Sequence, residues 1–88
     1  MPTISMFYGI IIRMYFAPGE HFPPHIHAYY QDFKASLKID DCEVIIGNMP
    51  SRQLRLIIAW MEIHREELIA DWSLCQNGES PIHIEPLR

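Results

Sequence analysis

The feature of this sequence that most constrains its fold is a two-residue alternation that begins at His25 and ends at Ile39. Successive side chains of a β-strand point to opposite faces, so this period predicts strands that are buried on one side. Breaks at Gln31–Asp32 and at Asp40–Asp41 predict turns, and Cys42–Ile46 then supplies a further strand. The pattern therefore predicts an antiparallel meander. Its apolar positions are Ile26, Ala28, Tyr30, Phe33, Ala35, Leu37 and Ile39.

The segments on either side of the meander predict one more strand and one helix. Thr3–Phe16 is rich in Ile, Phe, Tyr and Met, which favours a strand, with a bulge at Gly9. From Ser51 to Gln76 a helical period predicts one helix roughly 39 Å long. Pro81–Ile84 is interpreted as a short edge strand. The apolar stripe of the helix comprises Leu54, Ile57, Ile58, Met61, Leu68 and Trp72.

The predicted fold class is α+β, with a small antiparallel meander of three or four strands and one long α-helix packed on one face. The 88 residues, 49% of them hydrophobic, suffice for a single domain over residues 1–88. A net charge of −4 argues against a generally basic nucleic-acid binder but leaves a local basic patch open. The two cysteines have no metal-binding spacing, so we expect reduced thiols. No apolar run is long enough to span a membrane, and we expect a cytoplasmic protein.

Three of the five histidines lie close together in the sequence, at His21, His25 and His27. On a strand, His25 and His27 point to the same side, and a turn at Gln31–Asp32 places Ser36 opposite His27 and Lys38 opposite His25. The apolar set then faces the helix, so the histidines are predicted on the face that the helix leaves open.

This cluster permits three interpretations. His21, His25 and His27 are a candidate metal site, because three neutral imidazoles with an open position suit a divalent ion such as zinc. Alternatively His25 and His27, helped by Lys38, are candidate catalytic residues that cleave RNA by acid–base chemistry. A third interpretation gives the histidines only a structural task, orienting the loop after Pro23–Pro24 through backbone hydrogen bonds.

The helix carries two further features. Leu56, Trp60 and Ile63 form a second apolar strip, which predicts a partner protein or a homodimer. Arg65 lies in the middle of the apolar stripe, so its stem is expected to extend over the sheet edge, or its guanidinium group to pair with Glu62 or Asp71.

Several short motifs resemble a family of small bacterial proteins, domain-of-unknown-function family 4160. The resemblance rests on Pro2–Ser5, Gly9-Ile10, Met14-Tyr15, Trp60 with His64, Glu67-Leu68, the segment Pro81–Leu87 and above all the element from His21 to His27, which reads His-Phe-Pro-Pro-His-Ile-His. It implies a toxin-like component of a toxin–antitoxin pair, since members resemble such components in size and commonly neighbour family 2442 of the same series. The expected partner is then an antitoxin-like protein or a second copy, with RNA as the candidate substrate and no membrane or DNA partner indicated.

Overall fold

Five antiparallel strands and two helices make up the part of the chain that the computed structural model describes, residues 2–16 and 22–88. The strands lie side by side in chain order within one sheet. This arrangement confirms the predicted α+β class. The strands are β1 (Thr3–Phe7), β2 (Ile10–Arg13), β3 (His25–Tyr30), β4 (Phe33–Lys38) and β5 (Val44–Asn48), and the helices are α1 (Ser51–Ile63) and α2 (Arg65–Gln76).

The hairpin of β3 and β4 has the register that the alternation predicts. Tyr30 pairs with Phe33 around the two-residue turn, so Ser36 lies opposite His27 and Lys38 opposite His25. The central apolar residues of both strands are buried beneath the helices, namely Ile26, Ala28, Ala35 and Leu37. This confirms that the two histidines occupy the other face of the sheet.

The prediction of one strand over Thr3–Phe16 is wrong, because the chain reverses at Tyr8–Gly9 to form β1 and β2. Both turn residues have positive φ, 51° and 80°, as a type I′ hairpin turn requires. Gly9 is therefore a turn residue and no bulge lies there; the irregularity falls instead between Thr3 and Ser5. The reversal raises the number of described strands above the predicted three or four.

The predicted single helix is divided in two at His64, whose backbone leaves the helical region with φ −113° and ψ 24°. A straight helix of roughly 39 Å would exceed the longest dimension of the molecule, 33 Å. The division lets both helices bury their apolar residues in one core, with Ile57 and Met61 from α1 and Leu68 and Cys75 from α2.

The segment after α2 returns to β1 and to α1. The backbone N–H of Ile84 donates to the carbonyl of Ile4 at 2.8 Å, and the hydroxyl of Ser5 donates to the carbonyl of Ile84 at 2.9 Å. The strand predicted at Pro81–Ile84 is wrong, since the described structure assigns no strand there. The segment nevertheless covers part of the outer edge of β1.

The predicted exposed strip on the helix is wrong at its central residue. Trp60 is fully buried: it stacks on Phe7 at 5.3 Å between ring centroids, and its indole N–H donates to the carbonyl of Glu85 at 2.8 Å. The segment after α2 therefore covers this side of α1. Leu56 is half-buried, which leaves Ile63 as the exposed member of the predicted strip.

Arg65 makes both kinds of contact that the sequence predicts. Its Nη2 contacts the carboxylate of Glu62, and its Nε donates to the carbonyl of Ile39 at 3.3 Å, just beyond the end of β4. The stem thus extends across the sheet edge. No helix described within residues 2–16 and 22–88 is long and apolar enough to cross a membrane.

Gly47 is the position in β5 where any side chain would collide with the neighbouring strand. A Cβ atom there would lie 2.2 Å from the carbonyl oxygen of Lys34, and φ is +85°. Gly78 has a similar φ, +77°, but a Cβ there would meet nothing within 4 Å. Comparing substitutions at the two glycines therefore separates the free-energy cost of the positive φ from the cost of a steric clash.

We expect Gly47→Ala to destabilise the protein well beyond Gly78→Ala, which should cost about 1–2 kcal/mol for the left-handed angle alone. Urea unfolding of the two variants measures the difference. Equal losses would mean that β5 shifts away from β4 without cost.

Asp71 is a buried carboxylate at the junction of α2 and the returning segment. It is 2% exposed, and its Oδ1 accepts a hydrogen bond from the backbone N–H of Ile82 at 2.9 Å. Burial raises its pKa above the ordinary value, the bond from Ile82 opposes this rise, and the charge of Glu67 adds to it. A raised pKa in the folded state means that protonated Asp71 favours folding and ionised Asp71 opposes it.

We therefore test Asp71→Asn, which mimics the protonated carboxyl group. Near pH 4, close to the unfolded pKa of about 3.9, we expect the variant to be about as stable as the wild type. As pH rises through the folded pKa, we expect the variant to become the more stable of the two. Urea unfolding at a series of pH values checks this. Asp32→Asn, in the exposed β3–β4 turn, is the control, and a constant difference between Asp71→Asn and the wild type at every pH would contradict the expectation.

Candidate functional site on the open face of the sheet

The face of the sheet that the helices leave uncovered carries rows of mainly polar side chains that run across the strands. The register aligns one row as Met6, Ile11, Tyr29, Lys34 and Asn48, and the next as Thr3, Arg13, His27, Ser36 and Ile46. His25 and Lys38 pair in the row beyond. Two imidazoles, three cations and several hydroxyl groups thus share one surface, which we call the open face.

His25 and His27 are in contact on this face. Their ring centroids are 5.0 Å apart and the planes are inclined by 68°. The Nδ1 of His25 lies 2.8 Å from the carbonyl of Pro23. Because a carbonyl only accepts, this nitrogen carries the proton, and the neutral ring has an unprotonated Nε2. This bond to the Pro23 carbonyl is the kind of loop-orienting contact that the structural interpretation predicts for His25. The His25 ring also packs against Trp72, with 5.2 Å between ring centroids.

His27 is held from two sides. The Oγ of Ser36 lies 3.2 Å from its Nδ1, and the ring of Tyr15 meets it edge-on at 4.6 Å between centroids. A hydroxyl group donates to a neutral imidazole and accepts from a protonated one. Ser36 can therefore remain bonded to His27 in both of its protonation states.

Arg13 and Tyr15, on and just after β2, join the site although the sequence analysis assigned them no role. The guanidinium carbon of Arg13 lies 5.2 Å from the centre of the Tyr29 ring, a cation–π distance, and Tyr15 and Tyr29 share a hydrogen bond between their hydroxyl groups. The sequence signal for this position is the alternation of Arg13 and Tyr15 with Ile12 and Met14, which the apolar run Ile10–Ile12 partly hides.

Two adjoining cavities open on this face. The first, of about 330 Å³, is lined by Tyr15, His27, Tyr29, Lys34, Ser36 and Ile46, with backbone from β4 and β5. The second, of about 250 Å³, is lined by Phe22, Pro23, His25, His27, Ser36, Ile45 and Ile46. His27, Ser36 and Ile46 form the wall that they share. His27 therefore stands between the two cavities, and His25 lines the second.

The two lysines of β4 have different surroundings. Lys34 lines the first cavity beside His27, whereas the Nζ of Lys38 lies 3.3 Å from Asp41 and 3.8 Å from Glu43. The hydrogen bond and charge of Asp41 raise the pKa of Lys38 above its usual value. The catalytic role predicted for Lys38 stays a prediction, and the lysine that the structure brings to the cavity is Lys34.

The predicted metal site depends on His21, which lies outside the described residues. Within residues 2–16 and 22–88, no group of three or more His, Cys, Asp or Glu side chains is arranged to hold a metal ion. The metal site with His21, His25 and His27 therefore stays a prediction. His64, whose position relative to these histidines the sequence left open, packs on Trp60 and bonds through Nδ1 to the carboxylate of Glu67.

One family model matches the chain, over residues 9–73, and its description is "Domain of unknown function (DUF4160)". The matched range contains both cavities with their imidazoles and cations. It ends before the segment that returns to β1. No curated protein matches the chain, and neither does any solved structure.

The contact between His25 and Pro23 predicts the tautomer of the neutral imidazole. We expect ¹⁵N–¹H correlation spectra above neutral pH to show His25 protonated at Nδ1 and unprotonated at Nε2. His83, which is exposed, is the internal reference for an imidazole in water. A neutral His25 ring protonated at Nε2 would contradict the hydrogen bond to the Pro23 carbonyl and the assignment of the proton to Nδ1.

Proposed function

The chain belongs to the DUF4160 family, and we propose that it is a toxin-like ribonuclease that cleaves single-stranded RNA through the imidazoles of the open face. The observation that carries the proposal is the contact between His25 and His27, with 5.0 Å between ring centroids, because His27 also lines a cavity with Lys34. Two imidazoles and an ammonium group are the parts that 2′-hydroxyl attack on a phosphodiester requires.

The chemistry of the open face suits RNA despite the net charge of −4. Arg13 and Lys34 attract the phosphate backbone, and the aromatic rings of Tyr15 and Tyr29 offer surfaces on which unpaired bases stack. Glu62, Glu66 and Glu67 lie on the exposed sides of the helices, away from the two cavities, whereas Asp41 and Glu43 pair with Lys38 at the end of β4.

The proposed reaction assigns one proton transfer to each imidazole. The unprotonated Nε2 of His25 removes the proton of the 2′-hydroxyl group, and the resulting oxygen attacks phosphorus. As the phosphorus–O5′ bond breaks, protonated His27 gives its Nε2 proton to the departing oxygen while Ser36 accepts from its Nδ1. The products are a 2′,3′-cyclic phosphate and a 5′-hydroxyl end, and a proton exchange with water restores both imidazoles.

The negative charge that develops on the phosphoryl oxygens needs a nearby cation. Lys34 occupies this position in the proposal, because it lines the cavity that contains His27. Lys38, the lysine predicted from sequence, lies opposite His25 but is already paired with Asp41 and Glu43. Each of these carboxylates reduces the positive potential that Lys38 can offer to a phosphate.

In a toxin–antitoxin pair, the partner would inhibit by covering the open face. Phe22 and Ile46 lie beside the imidazoles with exposed fractions of 75% and 70%, so they offer apolar area to such a partner. The pairing itself rests on the family resemblance, which implies that members have the size of toxin–antitoxin components and commonly neighbour family 2442.

The test is cleavage of a single-stranded RNA oligonucleotide by the purified chain in the presence of EDTA. We expect products that end in 2′,3′-cyclic phosphate, detected by mass spectrometry, and a loss of rate of at least about a hundredfold in His25→Gln and in His27→Gln. Lys34→Met should lose more activity than Lys38→Met. His83→Gln, at an exposed histidine far along the chain, is the matched control.

Cleavage that survives the replacement of both imidazoles would rule out this mechanism. Activity abolished by EDTA and restored by zinc would favour the metal site of His21, His25 and His27 instead. In a bacterial host, induction of the wild type should arrest growth, whereas a folded His25→Ala/His27→Ala variant should not.

A further inference from the structure

The two cavities on the open face differ in their chemistry, although they share a wall. The first presents the hydroxyl groups of Tyr15, Tyr29 and Ser36 and the ammonium group of Lys34. These groups are donors and acceptors of the kind that distinguish one base edge from another. A base in this cavity meets hydrogen-bonding groups that only some bases can match.

The second cavity is walled mainly by apolar side chains. Phe22, Pro23, Ile45 and Ile46 line it, and its polar groups belong to His25, His27 and Ser36. The ring of Phe22 is 75% exposed and leans on Trp72, with 6.0 Å between centroids. Stacking on an aromatic ring stabilises every base, because every base has a π-face.

The size of the cavities suits single unpaired bases. Volumes of about 330 Å³ and 250 Å³ lie at or below the lower end of the range for small-ligand pockets. A base pair within a duplex presents only its edges, so it could not enter either space. His25 and His27 then lie where the phosphate that links two neighbouring nucleotides would pass.

We propose that the open face holds two neighbouring nucleotides in unequal subsites, one that selects its base through hydrogen bonds and one that accepts any base by stacking. The selective subsite is the cavity with Tyr29 and Lys34, and the tolerant subsite is the cavity with Phe22. The inference rests on the proposed ribonuclease function, which it deepens by assigning sequence specificity to one side of the scissile phosphate.

Binding of dinucleoside monophosphates that cannot be cleaved tests the subsites without any need for catalysis. Every combination of the four bases is titrated as the 2′-O-methyl form, and affinity is measured from the NMR signals of His27 and Trp72. We expect the base at one position to change Kd by about tenfold or more, and the base at the other by less than about threefold.

Three variants assign the pattern to the cavities. Phe22→Ala should weaken all combinations by a similar factor, about tenfold, because it removes the stacking surface and leaves the selective cavity intact. Tyr29→Phe, which removes a hydroxyl group of the first cavity and keeps the ring, should reduce the difference between bases at the selective position. Phe33→Ala, at a partly exposed aromatic residue of the β3–β4 turn outside both cavities, should change neither property.

The outcomes separate this inference from the proposed function. Equal selectivity at both positions, or a Phe22→Ala variant that binds as the wild type does, would overturn the two unequal subsites even if RNA is cleaved. Conversely, one-sided selectivity, together with a uniform loss of affinity in Phe22→Ala, would support the subsites. If cleavage then did not depend on His25 and His27, the catalytic proposal alone would be overturned.

Discussion

A sheet has two faces, and two short helices can cover only one of them. Every other feature of this molecule depends on which side chains the helices bury. Because Ile26, Ala28 and Leu37 enter the core, the intervening residues of β3 and β4 must face outward. A slip of one residue would bury His25 and His27 and expose the apolar set. The core thus fixes the position of the imidazoles as firmly as their own contacts do.

The sequence predicted the centre of the sheet because the information there is local. In β3 and β4 the alternation is clear on both sides of Gln31–Asp32, so the turn, the register and the face of each side chain follow together. In β1 and β2, by contrast, Ile10, Ile11 and Ile12 are all apolar and hide the period of two. The sequence therefore predicts a strand through Tyr8–Gly9, and its pattern does not place Arg13 and Tyr15 on the open face.

The helical half was less predictable because its decisive contacts are distant in sequence. No proline or glycine marks the break at His64, and the apolar stripe continues past it, so a helical wheel gives one helix. The helical wheel also places Trp60 on an exposed side of the helix, since no residue near it in sequence packs over its ring. Its cover comes from residue 85, through a contact that no local pattern encodes.

The hydrogen bonds between Ile4 and the segment around Ile84 join nearly opposite ends of the described chain. During synthesis, β1 is made long before residue 84. The outer edge of β1 and the indole of Trp60 therefore stay exposed until the segment after α2 has been made. Closure of the core is therefore a late event in folding, because it has to follow the synthesis of residue 84. Until it occurs, the nascent chain presents an open strand edge that a chaperone, or a second nascent chain, is able to recognise.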